Sequence, residues 1–213
     1  MLFRVKCPAE SSLFARVDER PAEDLAGLII EGSSLGNWED ARGTSDVLLA
    51  LSEVLPQESF PRLRESAYEF LAAASVSDGQ GVSWGEEVWD TAFAVIALCR
   101  DHSPNRVLIE QGARWLIEAY QRNGKNWYSE PWETLWALVA MHDAISVVPE
   151  LRASFDPKPV LNWLLSLLDS RGGVLVNHHY TAQFLIAASR WLDHPVMVEA
   201  DSELSERIQS ARI

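Results

Sequence analysis

A chain of 213 residues with 47% hydrophobic and 23% charged residues has the composition of a soluble globular protein with room for a sizeable core. Its formal net charge of -13 argues against a phosphate-backbone partner, because nucleic-acid binding needs a basic face, and against an anionic membrane surface for the same reason. The two cysteines, Cys7 and Cys99, are too few for a disulfide framework, and no CxxC or Cys/His spacing suggests zinc.

Taken in order, residues 1–20 carry no clear period and read as an N-terminal arm or cap, ending before Pro21, a favoured first-turn residue. The start, MLFRVKCPAESS, is interrupted by Arg4, Lys6 and Pro8, so no secretory leader is expected. No window reaches the roughly 18 apolar residues of a membrane helix, and a cytoplasmic location is the expectation. A first unit, about 21–55, has an apolar segment through Ala26 to Ile30, a loop with Gly36 and Trp38, and an amphipathic helix from Thr44. The second unit, about 56–103, has one helix over 61–75, a loop over 77–87 and a second helix from Thr91 to about Arg100. In the third, about 104–155, helix 107–120 leads through Asn123-Gly124 to a helix beginning near Thr134. The fourth, about 156–195, has helix 160–168, the pair Gly172-Gly173 and helix 180–192. Residues 196–213 form a polar tail.

These units repeat one plan. A leucine is followed eight residues later by a glycine, at Leu28/Gly36, Leu71/Gly79, Leu116/Gly124 and Leu165/Gly173. A threonine follows, with an alanine six residues beyond it, at Thr44/Ala50, Thr91/Ala97, Thr134/Ala140 and Thr181/Ala187. Only 11 residues are glycine, so four recurrences in one register are not a chance pattern, and the threonine spacings of 47, 43 and 47 define repeated supersecondary units. The predicted fold class is all-α, an array of four helical hairpins with alanine-rich second helices that permit close approach.

A glycine and tryptophan in the connecting loop, then Trp89-Asp90-Thr91-Ala92 or Trp132-Glu133-Thr134 opening an alanine-rich helix, resembles the squalene/hopene cyclase and protein prenyltransferase β-subunit superfamily over about residues 21–192. The resemblance implies an α/α toroid, here partial or open with four hairpins where the family usually has five or six. Leu28, Gly36 and Trp38 fit the spacing of the family's tryptophan-containing loop motif, whereas Trp84 and Trp127 fall later. The motif's glutamine slot holds Gly32, Ser75, Tyr120 and Asp169. Where the cyclases place their DxDD acid, this chain reads Glu87-Val88-Trp89-Asp90 and Glu130-Pro131-Trp132-Glu133. Tryptophan stands in the acid's position, and an indole cannot donate that proton. The Asp-x-Cys pair that accompanies the prenyltransferase zinc histidine is also missing, so His178 and His179 are expected in a loop or capping role and no metal or cofactor is expected.

The recurring carboxylates suit the positive ends of helices, with Asp90 as an N-cap candidate. Their catalytic reading makes Glu87, Asp90, Glu130 and Glu133 acids or bases at one mouth of the array, in cyclase-like, prenyltransferase-like or glycosidase-like chemistry. Trp38, Trp84, Trp89, Trp127, Trp132 and Trp136, with His178, His179 and Tyr180, either pack between repeats or form a surface for a ligand or partner. The reading favoured by the sequence is a non-catalytic, terpenoid-cyclase-like module that binds a protein partner, a second copy of itself or an apolar, isoprenoid-like molecule. An enzyme acting at the same mouth is the alternative.

Overall fold

The computed structural model describes residues 38, 40–54, 56, 58, 60–79, 81–85, 87–100, 105–124, 127, 131–168 and 178–192. The chain is all-α over these residues. Its helices are α1 (Ala41–Val54), α2 (Pro61–Ala74), α3 (Val88–Arg100), α4 (Arg106–Arg122), α5 (Pro131–Val147), α6 (Lys158–Ser166) and α7 (His178–Leu192). A 3-10 turn covers Pro149–Ala153, and the two-residue strands β1 (Val76–Ser77) and β2 (Val82–Ser83) pair antiparallel. The first apolar segment of the first unit, the N-terminal arm and the polar tail lie outside the described residues.

The second helices of the four units form a row in which α3 packs on α1, α5 on α3 and α7 on α5. Contacts near both ends fix the direction of the row. Trp89 meets Trp132 where α3 and α5 begin, and Arg100 meets Asp143 where they approach their ends, which requires the two helices to run parallel and in register. Arg42 on Trp89 and Glu53 on Arg100 impose the same on α1 and α3. The first helices form a second layer, with α2 against α1 and α4 against both α3 and α5. The core lies between the layers and includes Leu71, Trp84, Ile96, Leu116, Trp127, Leu138 and Trp191.

The repeat threonine is the fourth residue of α1, α3, α5 and α7 alike, so α1, α3 and α5 begin three residues earlier, and α7 two residues earlier, than the sequence suggested. Where the contact is described, the cause is a hydrogen bond back into the loop. The Trp38, Trp84 and Trp127 amides donate to the hydroxyls of Thr44, Thr91 and Thr134 at 3.1, 3.1 and 3.3 Å. The indoles complete the link, because Trp84 Nε1 donates to the Leu71 carbonyl at 2.6 Å and Trp127 Nε1 to the Leu116 carbonyl at 2.7 Å. Leucine, tryptophan and threonine therefore recur because together they pin first helix, loop and second helix.

Two of the repeat glycines lie in described loops. Gly79 and Gly124 have φ of +85° and +77°, a backbone region that glycine enters without steric penalty. Gly112 instead permits close helix packing. A β-carbon there would stand 2.7 Å from Val95 Cγ2 and 2.9 Å from the Trp84 ring, so its absence lets α4 settle on α3.

Candidate functional site

The side chains on the row of second helices divide between two ends of the helices. Near the starts, residues two before and two after the repeat threonine form an aromatic strip across α1, α3 and α5. The Arg42 guanidinium lies 3.3 Å from the centroid of the Trp89 ring, an arrangement that stabilises both groups. Trp89 packs edge-on against Trp132 at 4.9 Å and against Phe93 at 6.2 Å, and Phe93 meets Trp136 at 4.7 Å. All four aromatic rings are only partly buried, unlike Trp84 and Trp127, which are 0% exposed. Beside Trp136, a shallow depression open to solvent is lined by Leu135, Val139, Gln183 and Ile186. It encloses no space for a small organic ligand.

The expected tryptophan surface thus separates into two groups. Trp89 and Trp132 come together on the strip, while Trp84 and Trp127 pack in the core with their indole nitrogens bound to leucine carbonyls. Trp38 is half-buried and joined through its amide to Thr44. Tyr180 is half-buried in the first turn of α7. His178 and His179 fall within that turn rather than in a loop, and their side chains lie outside the described residues. Phe93 is the strip residue that motif reading missed. The signal for it is register, since it stands two residues after its threonine, as Trp136 does.

Among the carboxylates, Glu130 lies outside the described residues and Glu87 is exposed just ahead of α3. Asp90 is the third residue of α3 rather than its N-cap, and its carboxylate reaches back to accept a hydrogen bond from the Glu87 amide. Burial pushes the Asp90 carboxyl above the ordinary carboxylate range. The Glu87 hydrogen bond and the Arg42 charge oppose that rise, and Asp40 and Glu87 add to it. Glu133, at the equivalent position of α5, is 7% exposed. The helix starts earlier than expected, so Asp90 and Glu133 are first-turn residues of neighbouring helices and do not project from the loops ahead of them.

Toward the other end of the row, nine residues after each threonine, stand Glu53, Arg100, Asp143 and Arg190. Arg100 donates to Glu53 at 3.3 Å and to Asp143 at 3.0 Å, and Arg190 donates to Asp143 at 2.6 Å. His142 Nδ1 lies 3.0 Å from the same Asp143 carboxylate. Burial alone would raise the Asp143 pKa, but the His142 hydrogen bond and the Arg190 and Arg100 charges hold it below the usual range. A carboxylate held by Arg100, Arg190 and His142 together is a structural tie between the helices.

Among the described residues no three His, Cys, Asp or Glu side chains gather as a metal site, and no helix is long and apolar enough to cross a membrane. Comparison of the chain with protein-family models, curated proteins and solved structures gives no match.

Proposed function

We propose that the protein is a non-catalytic helical-repeat module, terpenoid-cyclase-like in plan and toroid-like in curvature, that binds a protein partner or an apolar, isoprenoid-like ligand on its inner row. The observation that carries this reading is the partly exposed strip of Trp89, Phe93, Trp132 and Trp136. Core aromatics in this chain are fully covered, and a set left half-open in one line gives a binding partner large, rigid apolar contacts. The shallow relief beside Trp136 favours an extended occupant, such as a protein segment or a linear isoprenoid chain, over an enclosed one. Asp90, a partly buried carboxyl whose pKa is raised by burial and which is next to Trp89 in the chain, is the observation that favours an enzyme.

Two double variants separate the readings. Farnesol, as an apolar probe, is titrated while tryptophan emission is followed. Saturable binding that survives Asp90→Asn with Glu133→Gln and is lost in Trp89→Ala with Trp132→Ala supports the binding module. Product formation from an isoprenoid substrate that disappears with the carboxylate pair would instead establish the enzyme.

A further inference from the structure

The four inner helices stand in one register, so their lateral faces can be identified from what is buried in the middle of the row and exposed at its ends. Five residues after the threonine, Ile96 and Val139 are 0% and 2% exposed, whereas Ile186 at the same position of α7 is 46% exposed. One residue after the threonine, Ala92 and Leu135 are buried and Ala182 is exposed. On α5 this face is turned to the following unit, since Leu135 and Val139 line the α5–α7 depression; Gln183 and Ile186 line it from α7, and Ile186 stands at its rim with 46% of its surface still exposed. The opposite face opens only on α1. Six residues after the threonine, Ala97, Ala140 and Ala187 are buried and Ala50 is exposed. Among the described residues, the α7 face and the α1 face are therefore two uncovered ends of a repeating junction.

We propose that these ends dock on each other between two copies of this chain, with α7 of one copy lying parallel on α1 of the next so that the row continues across the junction. The pattern of sizes supports it. Within the row, a large aliphatic residue at the fifth position belongs to a junction whose next helix carries alanine at the sixth, as Ile96 with Ala140 and Val139 with Ala187. Ile186 and Ala50 repeat that combination at the free ends.

Charge supports it independently. The ladder alternates in sign from Glu53 through Arg100 and Asp143 to Arg190, so its two ends are opposite. Arg190 engages Asp143 through Nη1 alone, and the Glu53 side chain, 67% exposed, takes Arg100 on one oxygen. Setting Arg190 of one copy beside Glu53 of the next continues the alternation without placing like charges together. The complementary surface for each end is thus the opposite end of the same chain, which identifies the partner as a second copy. Such a contact is heterologous: two copies satisfy both ends in a closed pair, and more copies give a larger ring or a filament. The aromatic strip takes no part in the junction, so this proposal stands or falls separately from the binding reading.

The test is the mass in solution of the full chain, by light scattering after size exclusion, at concentrations up to about 100 μM, where even weak specific pairs associate. Wild type is expected at twice the 23.9 kDa chain mass or more. Ile186→Glu and Ala50→Lys each put an unpaired charge into the junction and are expected to weaken association by about 100-fold or more, giving single chains. Both positions are exposed, so circular dichroism should show folded protein in each case. Mixed in equal amounts, the two variants are expected to regain the paired mass, because the introduced carboxylate then faces the introduced ammonium at one junction and the other junction is unaltered. Single-chain wild type across the range, association that survives Ala50→Lys, or a mixture that stays single would each overturn the proposal.

Discussion

Arg100 on α3 and Asp143 on α5 each stand nine residues after the threonine of their own repeat, and their side chains meet at 3.0 Å. Arg190 reaches the same carboxylate from α7, so a group 9% exposed joins three helices of the row. Asp143→Ala leaves Arg190 without this partner and Arg100 with Glu53 alone, and is expected to lower stability by about 1–3 kcal/mol, read as a fall in the urea midpoint at unchanged slope. Asp143→Asn keeps the shape and some hydrogen bonding and should lose less.

Asp143 also gives the fold an acid-sensitive component. Its folded pKa is depressed, and the unfolded value is about 3.9, so its contribution is fully present well above that value. It is lost as pH falls from about 4 through the lower folded value. Urea midpoints measured from pH 6 down to pH 3 should fall more steeply for wild type than for Asp143→Asn. Parallel curves would mean that another group dominates acid unfolding.

Thr91→Val and Thr134→Val preserve side-chain shape while leaving the buried amides of Trp84 and Trp127 without their acceptors. Each should destabilise by about 1–3 kcal/mol. The same change at an exposed hydroxyl, Ser146→Ala, should alter stability by no more than about 0.5 kcal/mol.

Tyr120 carries the opposite expectation. Its ring packs against Trp127 at 4.9 Å and Phe155 at 5.3 Å, and its buried hydroxyl has no hydrogen-bond partner among the described residues. Burial, with the Asp156 charge adding to it, raises its pKa. Tyr120→Phe removes an unsatisfied polar group without loss of packing and should leave thermal stability unchanged or raise it by up to about 1 kcal/mol.

Cys99 lies on α3 at 5% exposure, and burial, reinforced by the Asp143 charge and opposed by Arg100, pushes its thiol well above the ordinary range. In a Cys7→Ser background the chain should react with a disulfide reagent only as fast as it unfolds, and added urea should accelerate labelling. Rapid labelling of the folded chain would contradict the placement of α3 in the core.

The repeat was legible in the sequence because its hydrogen bonds use particular residue types at fixed intervals. Threonine binds the loop tryptophan's amide and leucine's carbonyl receives the indole, which leaves a countable pattern even where apolar periodicity is ambiguous. Helix starts were less legible. Trp89-Asp90 and Trp132-Glu133 have the composition of a loop entering a helix, yet the link to Thr91 and Thr134 draws them into the first turn. The aromatic strip was largely legible: Trp89 and Trp132 stood out by motif and Trp136 as a tryptophan near a helix start, but Phe93 is an ordinary core residue until the parallel register of α3 and α5 sets it beside Trp136. The charge ladder was invisible for the same reason, since Glu53, Arg100, Asp143 and Arg190 differ in type and share only their distance from the threonine. An alternation of sign across repeats is not a motif until the helices are known to be neighbours.

Native mass spectrometry of the protein purified from its own host, wild type beside the Trp89→Ala and Trp132→Ala double variant, tests most directly whether the inner row is a binding surface. Wild type is expected to carry a second protein or an apolar molecule that denaturing spectra then release, and the folded variant is expected to have lost it. Identical spectra for the two proteins would contradict a binding role and return the strip to packing between repeats.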